Sequence, residues 1–355
     1  MKRRAEDDLG GWLHGRGRKP LVLRGARQVG KTWLVRALAE AHDLDLIEIN
    51  FEWAPSAKAI FASNDPREYL SLLELERGSQ IEPTKSLLFL DEVQAFPEML
   101  AKLRWLYEKL PELAVIAAGS LLDFTLADHS FSMPVGRIGY YYLEPFSFNE
   151  FLNAAGNERL VGFLDDITLE QIRAGTPINP AIHNKLMELF KIYTLVGGMP
   201  EALSKWIETG SYLAVSEAQQ NLLMTYRDDF SKYAGRSNRE ALNEVFAAIP
   251  RCLGAVIKYS HLSSDYRTEI VKRAFDLLVT ARVCHRVSAA SAQGLPIAAT
   301  VNRKKFKAIF VDVGLVSASL GLQMSSELKA GDLVLANSGA IAEQAIGQLL
   351  RTVGL

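Results

Sequence analysis

Three stretches predict an α/β fold whose core is a parallel sheet. "PLVLRG" (Pro20 to Gly25) is an apolar run of strand length closed by a glycine. Shortly after it Leu34, Val35, Leu38 and Ala39 recur at helical spacing through about Ala41. "KSLLFLDEVQ" (residues 85 to 94) carries four consecutive apolar residues, Leu87 to Leu90, which read as a strand covered on both faces. "AVIAAGS" (Ala114 to Ser120) reads as a third strand.

Between the first strand and its helix lies "GARQVGKT", which fits G-x-x-x-x-G-K-[ST] at Gly25, Gly30, Lys31 and Thr32. The pattern is short, but strand, glycine loop and helix is the order it requires. Glycines let the main chain wrap closely around phosphate, so that N–H groups of Gly25, Ala26, Arg27, Gln28, Val29, Gly30, Lys31, Thr32 and Trp33 converge at a helix N-terminus. Lys31 is expected to reach the β- and γ-phosphates, and Thr32 to give its hydroxyl to Mg²⁺. A structural turn has no need of a lysine directed into its own loop.

The second strand ends in Asp91-Glu92, at the carboxyl edge where ligands bind in such sheets. Asp91 is expected to hold the metal and Glu92 to act as general base on the attacking water. Ser120, ending the third strand, faces either the γ-phosphate and its water or the following "LLDF" turn as a cap; both readings stay open. "VGRIGYYYLEPFSFNEF" supplies a further strand, with Arg137 just before it. Arg137 either neutralises transition-state charge, within the chain or on a neighbouring subunit, or pairs with a carboxylate. Arg104, in "LAKLRWLYEKL", suits a helix surface. Guanine recognition calls for N-K-x-D after a strand, and "NRKK" at 302 to 305 lacks the aspartate, so adenine is the expected base. The expected ligands are therefore ATP or ADP with Mg²⁺.

At 355 residues the chain has room for two or three domains, and 48% hydrophobic with 23% charged residues is an ordinary globular composition. Cys252 and Cys284 form no disulfide framework and no metal-ligand spacing, which fits a reducing, cytoplasmic setting. No uncharged apolar stretch approaches the ~18 residues that span a bilayer, and no signal-peptide run follows the basic N-terminus, so neither membrane nor export is expected.

"RKPLVLRGARQVGKTWL", "LLFLDEVQ", "AAGSLL", "PVGRIGYYYLEPFSFNEF" and "LVGGMPEAL" together resemble a family of prokaryotic AAA+ ATPases that join an AAA_14 domain to a DUF4143 domain. The resemblance runs from about Arg3 onward. It implies a P-loop NTPase core of five parallel strands (residues 1–155), a helical lid and linker helix (156–235), a winged-helix segment (236–320) and the start of a restriction-endonuclease-like module (321–355). Glu343 matches the first acidic position of that module. The chain stops at Leu355, short of the strands that carry the remaining acidic residues and lysine, so no nuclease activity is expected of it.

The residues themselves support part of this layout. "HNKLMELFKIYTLVGGMPEALSKWIETG" reads as two helices broken at Gly197-Gly198 and Pro200, and a long amphipathic helix follows, whose Arg227-Asp228-Asp229 reads as a solvated face. Residues 240 to 310 suit a helix-turn-helix with a wing, with Ser264 as a cap before the second helix. Residues 251–310 hold eleven Lys/Arg and three Asp/Glu, a balance of 11 − 3 = +8, on a chain whose net charge is −1. Such a module is the footprint of a nucleic-acid binder, with Arg267, Lys272, Arg273, Arg303, Lys304, Lys305 and Lys307 as phosphate contacts for double-stranded DNA. Winged helices also dock proteins, so a protein partner and self-association are the alternatives. His261 and His285 have no partners at metal spacing. Two functions follow: an ATPase whose turnover moves the lid and winged helix, or a nucleotide-gated DNA- or protein-binding switch with negligible turnover.

Overall fold

The computed structural model describes residues 1–119, 122, 134, 136–233, 236–291, 294, 296–321 and 338–353. Contacts divide the chain into two compact units, Arg3–Leu143 on one side and Glu144–Leu355 with Met1–Lys2 on the other. The boundary falls immediately after the last strand of the first unit, upstream of residue 155.

In the first unit, helix α1 (Arg4–Leu13) precedes β1 (Leu21–Arg24), α2 (Lys31–Ala41) and β2 (Asp45–Asn50). Helix α3 (Pro66–Arg77), β3 (Ser86–Asp91), α4 (Glu98–Lys109), β4 (Ala114–Ala118) and β5 (Gly139–Tyr142) follow. The five strands are parallel in the order β2-β3-β4-β1-β5. All six residues of β3 and all five of β4 are buried, as continuous apolar runs in a doubly covered sheet must be. On one face Leu88, Leu90, Val115 and Ala117 pack against Tyr69 and Leu73 of α3 and Met99, Leu100, Leu103 and Leu106 of α4. The sheet places the ends of β1, β3 and β4 side by side at one edge, and that edge carries the candidate site.

The second unit is mainly helical. Helices α5 (Phe148–Ala154), α6 (Glu158–Asp165), α7 (Leu169–Arg173), α8 (Pro180–Val196), α9 (Pro200–Thr209) and α10 (Tyr212–Tyr233) come first. Then follow α11 (Arg236–Ala248), α12 (Tyr259–Leu262), α13 (Thr268–Thr280), the antiparallel strands β6 (Cys284–Ala290) and β7 (Val301–Phe310), α14 (Val313–Ser319) and α15 (Ser338–Thr352). Helices α8 and α9 break where Gly197, Gly198 and Pro200 predict.

Two local expectations are corrected. The N-cap of α13 is Arg267, because Ser264 spends its hydroxyl on the Asp265 carboxylate 3.1 Å away. The Arg227-Asp228-Asp229 run is a solvated face only at Asp228: Asp229 is buried, and the Arg227 guanidinium lies 5.5 Å from the centre of the Phe246 ring.

A buried polar junction ties this unit together. Asp312, fully buried, accepts hydrogen bonds from the Gly198 amide (2.6 Å), the Leu315 amide (3.1 Å) and the Gln348 side chain (3.1 Å). Gln348 in turn accepts from the Val313 amide and donates to the Tyr193 hydroxyl, which itself donates to the Phe146 carbonyl. Every buried acceptor of the Asp312 carboxylate faces a donor, which is the condition for keeping a charge inside. Burial still pushes its carboxyl above the ordinary range, and the hydrogen bonds offset part of that.

His285 on β6 is a contrasting case. It is buried, its Nε2 has no partner among the described residues, and burial together with the Arg351 and Arg282 charges holds it well below 6.5. The unfolded chain therefore takes up the proton first. Stability from this residue is complete above pH 6.5 and is lost as pH falls below it, by about 1.4 kcal/mol per pH unit. Denaturant midpoints at pH 7.5 and 5.5 are expected to diverge in wild type and to converge in His285→Phe.

Candidate functional site

The phosphate loop connects the carboxyl end of β1 to the first residue of α2. Gly25 has φ +152°, and a Cβ there would lie 2.3 Å from the Leu143 carbonyl, so only glycine lets the loop turn against β5. Gln28 (φ +62°) and Gly30 (φ +93°) continue the turn, and Gly30 caps α2 with no side-chain hydrogen bond. The N-terminal amides of α2 are thus left to an anion, and the helix dipole favours one. Val29 is fully buried, and its carbonyl accepts from Arg3 (3.2 Å), a buried residue at the N-cap of α1.

Lys31 is 9% exposed, and its ammonium donates to the Gly25 (3.1 Å) and Ala26 (2.9 Å) carbonyls. A buried ammonium held by the loop it follows is a charge placed for an anion in that loop. Trp33, by contrast, is 47% exposed in the first turn of α2.

Thr32 donates to Asp91 Oδ2 at 3.1 Å, although β4 separates their strands. Asn50, aligned with Asp91 in the β2–β3 register, approaches the same oxygen at 3.4 Å. Hydroxyl and carboxylate are the hard oxygen donors that Mg²⁺ takes alongside phosphate oxygens, so the pair fits that metal. Burial and the neighbouring Glu92 push the Asp91 carboxyl up, while bonds from the Glu92 amide and Thr32 pull it down.

Glu92 adopts the left-handed region (φ +49°, ψ +46°), which a non-glycine residue enters at a cost of about 1 kcal/mol or more. Its amide is held by Asp91 Oδ1 at 3.0 Å, and its carboxylate accepts from Gln94 Nε2. Gln94 Nε2 also reaches Glu52, and two carboxylate contacts fix which end of the amide is nitrogen. That leaves Gln94 Oε1 buried and without a partner among the described residues. A Cβ on Gly119 would lie 2.0 Å from this oxygen, so a glycine after β4 makes its room. Gln94 thus ties the Glu92 carboxylate, through Nε2, to the packing of Gly119 behind it.

Not every expected residue joins this group. Ser120 lies outside the described residues. Arg137 precedes β5 and so sits at the amino edge of the parallel sheet, whereas Lys31, Thr32, Asp91 and Glu92 gather at the carboxyl edge. There it shares Glu108 with Arg104, at 3.1 and 3.0 Å. Within one chain it is a structural pair. Arg3, Asn50 and Gln94 were not singled out from the sequence. Only Gln94 left a signal there, two residues beyond the acidic pair.

In the second unit Lys307 is not an unpaired cation, since both Glu343 oxygens lie 2.8 Å from its ammonium in a half-exposed pair. The same bond commits Glu343, the residue matched to a nuclease position. The side chain of Arg303 lies outside the described residues.

Residues 17–152 match the model of an AAA domain, and residues 187–326 match a domain of unknown function, DUF8612. The second match replaces the DUF4143 domain that the resemblance implied. No curated protein matches the chain. Among solved structures it is similar to the Walker-type ATPase PABY2304 of Pyrococcus abyssi, with TM-score 0.54 and 16% identity over 90% of this chain and 95% of that one. A likeness to the Aeropyrum pernix ORC1 protein in complex with DNA has TM-score 0.33 and 14% identity over 90% and 91% of the two chains. Identity of 16% shows a common fold. With the AAA match it supports an ATP-binding protein of the AAA+ type. No described helix is long and apolar enough to cross a membrane.

Proposed function

We propose that the chain hydrolyses ATP to ADP and phosphate with Mg²⁺, and that turnover changes the state of its second unit. The observation that carries this reading is the unbroken run of contacts Lys31–loop, Thr32–Asp91, Asp91–Glu92 and Glu92–Gln94 at one sheet edge. Thr32 and Asp91 would hold Mg²⁺, which when bound neutralises phosphate charge. Residues 25–33 wrap the phosphates, and Lys31 takes the β- and γ-phosphate oxygens. Glu92, its carboxylate aimed by Gln94 Nε2, accepts the proton of the attacking water, the water oxygen bonds to the γ-phosphorus, and the bond to the leaving ADP oxygen breaks.

Residues 236–320 we read as a winged-helix segment. Three helices precede a hairpin, and Ile257 adds a backbone hydrogen bond to Phe306 of β7. Residues 156–235 are read as the lid and linker. The start of a nuclease-like module at 321–355 rests on the motif resemblance.

The test is steady-state phosphate release with Mg²⁺, together with thermal denaturation with and without ATP. Nucleotide at a hundredfold excess over its dissociation constant is expected to stabilise wild type by ~2.7 kcal/mol and to leave Lys31→Ala unmoved. Stabilisation without phosphate release would leave the nucleotide-gated switch. No stabilisation would overturn ATP binding itself.

A further inference from the structure

Strands β6 and β7 do not pair evenly. Ser288 lies opposite Phe306, yet its neighbour Ala289 lies opposite Asn302. The ladder advances one residue on β6 and four on β7, so residues 303–305 loop out of the register. The Asn302 side chain accepts from the Lys304 amide at 3.0 Å and fixes the excursion. These three residues are Arg-Lys-Lys. A bulge re-aims side chains and bends its strand, and here it turns Lys304 and Lys305, both exposed, away from the ladder.

The bulge is tied to a second cationic face. Arg286 of β6 lies 4.7 Å from the Phe306 ring centre and 5.2 Å from that of Phe275, and it pairs with Asp276 of α13 and the Tyr259 hydroxyl. This node locks the hairpin onto α13. It buries Phe275 with Val271, Ala274 and Leu278, which leaves Thr268, Glu269, Lys272 and Arg273 exposed on the opposite face. The node also sorts the +8 balance of residues 251–310. Arg282, Arg286 and Lys307 are used internally, on Glu144, Asp276 and Glu343. Lys272, Arg273, Lys304 and Lys305 remain exposed, on two elements that the Arg286 node holds together.

We propose that α13 and the 303–305 bulge form a preorganised contact surface for duplex DNA. Paired cations at two fixed points match a polyanion of regular charge spacing. An exposed α-helix flanked by phosphate contacts fits the B-form major groove, whereas the deep, narrow major groove of an RNA duplex does not admit it. Tyr259, Phe275 and Phe306 pack their rings on one another, at 5.3 to 6.3 Å, and so are not free as a platform on which single strands stack. This assignment stands independently of the nucleotide site.

The experiment is fluorescence anisotropy of the full chain with a labelled 20-base-pair DNA duplex, titrated from 50 to 200 mM salt. Wild type is expected to bind with log K falling linearly in log salt. Lys304→Ala/Lys305→Ala should flatten that slope by about two units, at ~0.9 per phosphate contact, as should Lys272→Ala/Arg273→Ala. Lys307→Ala, which breaks an internal pair, should leave the slope unchanged. Circular dichroism confirms that each variant is folded. Absence of binding at 50 mM salt, a slope indifferent to the bulge lysines, or tighter binding of polyglutamate or single-stranded DNA than of the duplex would overturn the assignment.

Discussion

Glu92→Gln is expected to lower ATP turnover by roughly 10²- to 10⁴-fold while nucleotide binding persists. The substitution keeps the size of the side chain and the left-handed backbone, so the Asp91 Oδ1 bond to the residue 92 amide survives. It removes the proton acceptor. The remaining amide oxygen can still accept from Gln94 Nε2, which donates to Glu92 in wild type, so the local contact is kept. Phosphate release and ATP-dependent thermal shifts should be measured on the same samples. Equal turnover in mutant and wild type would remove Glu92 from the reaction. Gln94→Ala should give a smaller loss, about tenfold, because it disturbs the aim of the carboxylate and not the carboxylate itself.

Gly198→Ala is expected to cost about 3 kcal/mol or more of stability in the second unit. A Cβ at this position would lie 2.0 Å from the Phe146 carbonyl oxygen. Neither partner can retreat cheaply. The Phe146 amide bonds the Gly198 carbonyl at 2.7 Å, the Gly198 amide bonds buried Asp312 at 2.6 Å, and Tyr193 grips Phe146. Relief of the clash therefore breaks at least one buried hydrogen bond and exposes the Asp312 carboxylate to an unpaired interior. Gly162→Ala is the matched control. It lies inside α6 with nothing near its would-be Cβ, so alanine should stabilise the helix by up to about 1 kcal/mol. Opposite shifts in melting temperature are expected, and a neutral Gly198→Ala would mean the junction is soft.

The strands of the first unit and the phosphate loop were legible because their signals are local. An apolar run, a glycine spacing and an acidic pair need no knowledge of neighbours. Asn50 was not legible, since only the β2–β3 register sets it beside Asp91. Arg3 reaches Val29 across 26 residues of sequence. Of the two readings open for Arg137, the pair with a carboxylate is the one seen within the chain, and sequence could not choose it because proximity to a strand says nothing of which edge the residue occupies. In the second unit, alternation along "RKKFKAIF" groups Lys307 with the other cations, and only pairing with β6 reveals that residues 303–305 leave the ladder while Lys307 stays within it.

The Asp312 junction also bears on how the chain reaches its native state. It joins Phe146, Tyr193, Gly198, Asp312 and Gln348, drawn from across two hundred residues of sequence. Closing loops of that length is slow, and no local element substitutes for the last partner. During synthesis the first unit, whose sheet is complete by Tyr142, can fold while the junction of the second stays open to water until Gln348 has emerged. In that interval, rather than in the finished structure, the apolar surface of the second unit is open to aggregation.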